Sequence, residues 1–287
     1  VSLPLEPIRN AMDSLVENLD EKDGSGAAYG ILTTDKVAKE LALEFKLGGA
    51  VCRIGGIAKG SGMIHPNMAT MFSFITTDVS ISTKMLKKAL SRIVDETFNM
   101  ISIDGDTSTN DMVCLLANGN ANNKTIDEEG IDFDLFCAAL KELSTYLARE
   151  IARDGEGASK LLTCNVCRAK SLTDARKIAK SVITSSLFKA ACFGADANWG
   201  RILCAVGYAD AEFDLNHISI WLSSAEGKIE VCRNGLGLTF NEELAKAILL
   251  EPEIKIDIYL SDGEYDATAW GCDLTYDYVK INGSYRT

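Results

Sequence analysis

Phe133, Phe136, Leu140, Leu143, Leu147 and Ile151 fall three and four residues apart. In a helix that spacing gathers them into one long apolar stripe, which must be covered by other parts of the chain. The neighbouring segments supply the cover. Apolar runs bounded by turn residues read as strands at 28–33, 71–75, 161–166, 218–222, 229–231, 254–259 and 265–270. Helical spacing is expected over 5–19, 82–98 and 242–249, and from near Thr173 onward; 36–45 and 198–206 read as short helices or turns, and 273–280 as a polar helix. Between them lie a glycine-rich stretch at 48–62 and a polar loop at 104–111. Strands and helices alternate without internal repeat, which predicts an α/β or α+β class. A soft boundary near Ala158 separates 1–158 from a strand-rich 159–287.

Composition narrows the function classes. The chain has 287 residues, 47% hydrophobic and 24% charged, enough for a dry core and far from the disordered range. Acidic residues outnumber basic ones 41 to 29, giving a net charge of −12 with no basic run. That argues against nucleic acid, whose phosphates demand clustered Lys and Arg. No apolar run approaches a membrane span, so a soluble protein without membrane contact is expected. Nine cysteines are scattered, most of them inside apolar runs. This fits a reducing, cytoplasmic setting better than a disulfide framework.

Most short motifs fail on inspection. Lys59 precedes Gly60, so the phosphate-loop order is absent, and His65 stands where a dinucleotide turn needs its third glycine. Asp104, Asp106, Ser108 and Asn110 imitate the first ligands of a calcium loop, but Thr109 replaces the obligatory glycine and Leu115 the bidentate acid. A hydrogen-bonded structural loop is the better reading. Cys164 and Cys167 form a lone pair with no partner pair, so core packing is favoured over zinc and no metal is expected. His65 and His217 are the only histidines. His217 borders an apolar run, and His65 beside Pro66 reads most simply as a turn residue.

The segment 60–70 then stands out, because it sets the small residue Ala69 before Thr70 at the mouth of an apolar strand. A threonine hydroxyl needs a base. If the preceding peptide bond is cut, its own α-amine, with a pKa of about 7.7–8.0, can serve. On pattern alone, the plainer reading of Thr70 as a β-branched strand residue is the stronger one.

Lys59-Gly-Ser-Gly-Met-Ile-His-Pro-Asn-Met-Ala-Thr70-Met resembles the ArgJ family of ornithine acetyltransferases, also called glutamate N-acetyltransferases. Leu32-Thr-Thr-Asp35, Phe98-Asn99, Asp104-Gly-Asp-Thr-Ser-Thr-Asn-Asp111, Asp154-Gly-Glu-Gly157 and Gly194-Ala-Asp-Ala-Asn-Trp-Gly-Arg201 extend the likeness. So does the tail, through Trp270-Gly-Cys-Asp-Leu-Thr275, Ile281-Asn282 and Tyr285-Arg-Thr287. The resemblance implies a layered α/β sandwich, with helices flanking mixed sheets and a C-terminal α/β portion. It implies self-cleavage between Ala69 and Thr70, leaving Thr70 as the N-terminal nucleophile of a second chain. The implied reaction is ping-pong, with acetyl passing from N-acetylornithine to Thr70 and on to glutamate.

Carried over residue by residue, the family's substrate-binding positions are Thr33, Lys59, Thr70, Glu156, Asn282 and Thr287, with Thr70 and Glu156 as the catalytic pair. No cofactor is implied, although acetyl-CoA is a candidate co-substrate. Paired α and β chains from one precursor, assembled into a higher oligomer, are implied as well. One departure concerns the family's Thr-Gly oxyanion pair, expected upstream of Leu3-Pro4. The sequence is therefore expected to lack an N-terminal family segment, which could also carry an organellar address. Two rival readings follow: an N-terminal-nucleophile aminopeptidase or amidase, and a catalytically incomplete assembly or regulatory subunit.

Overall fold

A computed structural model describes residues 3–20, 24–65 and 71–284. Helix α1 (Leu5–Glu17) comes first and keeps its apolar residues Leu5, Ile8, Met12 and Leu15 exposed. Helix α2 (Gly24–Gly30) follows, where the sequence suggested a strand over 28–33. Ala28 is the one residue it buries, and small alanines favour the helix when no strand neighbour competes.

The next correction is larger. Residues 36–45, expected as a helix or turn, contribute to strand β1 (Lys39–Leu47). Lys, Glu, Leu and Ala suit a helix in isolation, but Leu41, Leu43, Phe45 and Leu47 alternate with the exposed Glu40, Ala42, Glu44 and Lys46. Period two wins because β1 pairs antiparallel along its whole length with β2 (Ala50–Lys59), which occupies most of the glycine-rich stretch. Gly48 and Gly49, at φ +53° and +91°, make the left-handed two-residue turn that such a hairpin needs.

Strand β3 (Phe72–Thr77) joins β2 antiparallel, and helix α3 (Thr83–Glu96) follows, capped by the Ser82 side chain. After the two-residue β4 (Ile101–Ser102), strand β5 (Met112–Ala117) pairs parallel with β3. The first sheet thus has the order β1-β2-β3-β5. Helix α4 (Ile131–Arg153) carries the apolar stripe, and all six of its residues are buried. It packs against β1 and β2 on one side and contacts strands of the second sheet on the other.

The second half continues with β6 (Leu161–Ala169), α5 (Leu172–Thr184), α6 (Ser186–Phe193) and α7 (Trp199–Gly207). Then come β7 (Ser219–Ser224), β8 (Gly227–Arg233), the short β9 (Leu236–Gly237) and α8 (Glu242–Leu250). Strands β10 (Glu253–Tyr259) and β11 (Tyr265–Cys272) lead into the final helix α9 (Tyr276–Ser284). The second sheet runs β4-β11-β6-β10-β7-β8-β9, mixed in direction, and the fold is a layered α/β arrangement. Strand β4 crosses from the first half of the chain, pairing Ile101 with Trp270. Helix α9 begins later than residue 273, because Asp273 is turned inward and accepts the Ser159 and Lys160 amides at 2.9 and 3.0 Å.

Cys164 and Cys167, three apart on β6, project to opposite faces and cannot share a ligand. All nine cysteines are free, and no cluster of potential metal ligands occurs among the described residues. No helix among them is long and apolar enough to cross a membrane.

Candidate active site

Four of the residues singled out from the sequence, Thr33, Lys59, Glu156 and Asn282, gather where β2, the C-terminal end of α4 and α9 approach one another. Lys59 is the last residue of β2 and is only 6% exposed. Its Nζ donates to Thr33 Oγ1 at 2.8 Å. Burial pushes the Lys59 ammonium below its ordinary pKa; the carboxylates of Asp35, Asp111 and Glu156 oppose that shift, and the charge of Lys39 adds to it.

The loop carrying Thr33 is tied down by a buried charge triad that the sequence reading did not foresee. Lys39 Nζ lies 2.8 Å from Asp35 Oδ1 and 2.7 Å from Asp154 Oδ2. Asp35 Oδ1 also accepts the Gly60 amide at 2.7 Å, and Asp154 Oδ2 accepts the amides of Lys36 and Val37 at 2.9 and 3.2 Å. Burial pushes the Asp35 carboxyl up, but the Gly60 amide and Lys39 outweigh it and hold the group below its usual range. Asp154 terminates α4, so the triad locks the Thr33 loop, the start of β1 and the end of the central helix together.

Glu156 follows in the turn after α4. Its amide donates to the Ser61 carbonyl at 3.0 Å, and its Oε2 accepts Asn282 Nδ2 at 2.9 Å. The carboxylate lies directly over Gly62, where an added Cβ would sit 2.5 Å from Oε2. Asn282 arrives on α9, which docks on the same turn through Thr275 Oγ1 donating to the Gly157 carbonyl at 2.6 Å. Gly157, at φ +67°, lets the Tyr278 backbone come closer than any side chain would allow.

Four expected binding residues therefore form two hydrogen-bonded pairs, Thr33 with Lys59 and Glu156 with Asn282, joined through the run from Lys59 to Gly62. Ala69, Thr70 and Thr287 lie outside the described residues. His65 does more than mark a turn: its Nδ1 is 3.0 Å from Ser102 Oγ. Burial, reinforced by the nearby Lys180 charge and opposed by Asp104, pushes the imidazole down to about 4, so it is neutral at neutral pH. Asp35 and Asp154 carry a sequence signal, since both sit inside motifs quoted above. Lys39 had none beyond its place in an alternating strand.

Known proteins resemble this chain over its whole length. A protein of Caldanaerobacter subterraneus subsp. tengcongensis, named arginine biosynthesis bifunctional protein ArgJ, is 51% identical over 287 residues, covering all of this chain and 71% of the relative. The protein of that name from Thermotoga neapolitana is 47% identical, with 100% and 72% covered. The crystal structure of arginine biosynthesis bifunctional protein ArgJ from Bacillus halodurans superposes with a TM-score of 0.70 at 46% identity, covering 74% of this chain and 98% of that one. The model of the ArgJ family matches residues 1–287, and this chain belongs to that family.

Proposed function

We propose that the chain is the acetyltransferase of arginine biosynthesis, moving acetyl from N-acetylornithine to glutamate through an acetyl-Thr70 ester. The observation that carries the reading is the convergence of Thr33–Lys59 and Glu156–Asn282 at one end of the central helix, in a chain of the ArgJ family. Both substrates are amino acids with a carboxylate and an amine to be gripped. A buried ammonium at Lys59 suits the carboxylate, and the Glu156 carboxylate, held by Asn282, suits a cationic amine.

Self-cleavage between Ala69 and Thr70 would begin with the Thr70 hydroxyl attacking the Ala69 carbonyl; the C–N bond between them breaks as the proton passes to the Thr70 nitrogen, and water then hydrolyses the ester. The freed α-amine of Thr70 then accepts the hydroxyl proton as the oxygen attacks the acetyl carbonyl. The amide C–N bond breaks, the proton passes to the departing ornithine amine, and the acetyl group stays on Thr70. Glutamate's neutral amine attacks that ester, the C–O bond breaks, and the Thr70 oxygen recovers its proton. Acetyl-CoA would deliver acetyl to the same oxygen, its C–S bond breaking and CoA leaving as the thiol with the hydroxyl proton, and the second half-reaction would be unchanged.

Paired α and β products assembled further, in the cytoplasm, complete the proposal, and the nine free cysteines suit that compartment.

The deciding experiment is Thr70→Ala. Intact-mass measurement should show a single unsplit chain, and incubation with N-acetylornithine and glutamate should yield no N-acetylglutamate. A split product from that variant overturns the nucleophile assignment, and acetate in place of N-acetylglutamate from the parent overturns the transferase reading.

A further inference from the structure

Asp104 belongs to neither pair, yet it touches the supports of the site from both sides. Its Oδ2 accepts the Met63 amide at 2.7 Å, and its Oδ1 accepts the Ile64 amide at 3.0 Å and the Asp106 amide at 3.2 Å. The Tyr278 hydroxyl lies 3.4 Å from Oδ2. The same two stretches are stitched further by Ile103 N donating to Ile64 O at 2.7 Å and by Thr107 Oγ1 donating to His65 O at 3.0 Å. The buried Lys189 ammonium donates to the Ile103 carbonyl behind them.

The backbone shows what this carboxylate holds. Ser61 and Met63 have φ of +102° and +56°, left-handed values that strain a non-glycine residue. Such a turn persists only when its surroundings enforce it. Successive amides converging on an anion are a strong way to do so, because each hydrogen bond is charge-assisted. The enforced turn presents Gly62 to the Glu156 carboxylate and the Ser61 carbonyl to the Glu156 amide. On the other side, Tyr278 stands one helical turn before Asn282, and its own carbonyl accepts Asn282 Nδ2 at 3.1 Å.

We propose that Asp104 is a positioning residue of the site: by gripping the Met63–Ile64 amides and the Tyr278 hydroxyl together, it sets the register in which Glu156 and Asn282 meet. The inference rests on the reading of those two residues as substrate-binding. It also gives the polar loop at 104–111 a use that neither calcium binding nor a mere turn supplies.

The test compares the full chain with its Asp104→Asn and Tyr278→Phe variants by acetyl-transfer kinetics and amide hydrogen exchange. Asn keeps the shape and one acceptor but loses the charge. Asp104→Asn should raise KM for N-acetylornithine about tenfold and speed exchange at Met63 and Ile64 by about as much, with the amides of β10 unaffected. Tyr278→Phe, which removes only the contact to α9, should raise KM about threefold with kcat unchanged and leave Met63 and Ile64 exchange as in the parent. An Asp104→Asn enzyme with the parent's KM overturns the proposal, whether or not its exchange is faster. If that variant does not accumulate as folded protein, Tyr278→Phe decides, and an unchanged KM overturns. A parent that transfers no acetyl defeats the functional reading instead. The exchange comparison then stands alone, with lost protection at Met63 and Ile64 supporting the grip and retained protection overturning it.

Discussion

Lys39→Met removes the cation from the buried triad while keeping most of the side-chain volume. Lys39 is 1% exposed, and its partners Asp35 and Asp154 have side chains 0% and 5% exposed, so solvent cannot replace the lost ammonium. Breaking a buried ion pair from one side costs about 3–5 kcal/mol, because it strands the opposite charge. Here two carboxylates are stranded side by side, but the Gly60, Lys36 and Val37 amides still hydrogen-bond them. We therefore expect the lower end, about 3 kcal/mol, equivalent to a fall in midpoint temperature of about 6–12 °C for a chain of this size.

The pH dependence gives a second handle. In the parent, Asp35 is held below its unfolded pKa, so its contribution is present above that value and is lost only as pH falls through the folded one. Without Lys39, burial dominates and raises the folded pKa, so the variant regains stability as acidification neutralises the stranded carboxyl. Urea titrations at pH 7 and pH 5 should show the gap between the proteins narrowing at the lower pH. Equal midpoints at pH 7, or a gap that widens on acidification, would refute the assignment of the triad as the brace of the Thr33 loop.

Gly62→Ala places a methyl group 2.5 Å from Glu156 Oε2, so the carboxylate must swing away from Asn282. Acetyl transfer should fall at least tenfold, while the melting temperature moves by only a few degrees, because the displaced group is the end of a flexible side chain. Parent-like turnover would show that the Glu156–Asn282 contact is dispensable. The lowered pKa of Lys59 predicts that KM for the carboxylate-bearing substrates rises on the alkaline side, at a pH below that of an ordinary lysine, as the ammonium loses its proton. Lys59→Arg, which stays charged, should flatten that limb of the KM–pH profile; an identical limb in both proteins would remove Lys59 from substrate binding.

The parts of the fold legible in the sequence were those dictated by local period. The stripe on α4 is buried in full, and the strands around 161–166, 254–259 and 265–270 lie where alternation and turn residues put them. The two misread segments were short and of mixed propensity. Residues 36–45 looked helical until a partner strand was available, and 28–33 looked extended until only Ala28 proved to need burial. Thr33, Lys59, Glu156 and Asn282 were found through motifs, since nothing in their local spacing marks them.

What the sequence determined alone was the membership of its motifs and the amphipathic central helix, because these depend on residues near one another in the chain. The tertiary structure decided that Lys59 meets Thr33 across 26 positions and Asn282 meets Glu156 across 126. It also decided that Lys39 is buried between two aspartates, the farther of them 115 positions away, and that Asp104 reaches α9 across 174. Desolvation, which sets the charge of Lys59 and the cost of losing Lys39, arises only once distant segments have closed over these groups.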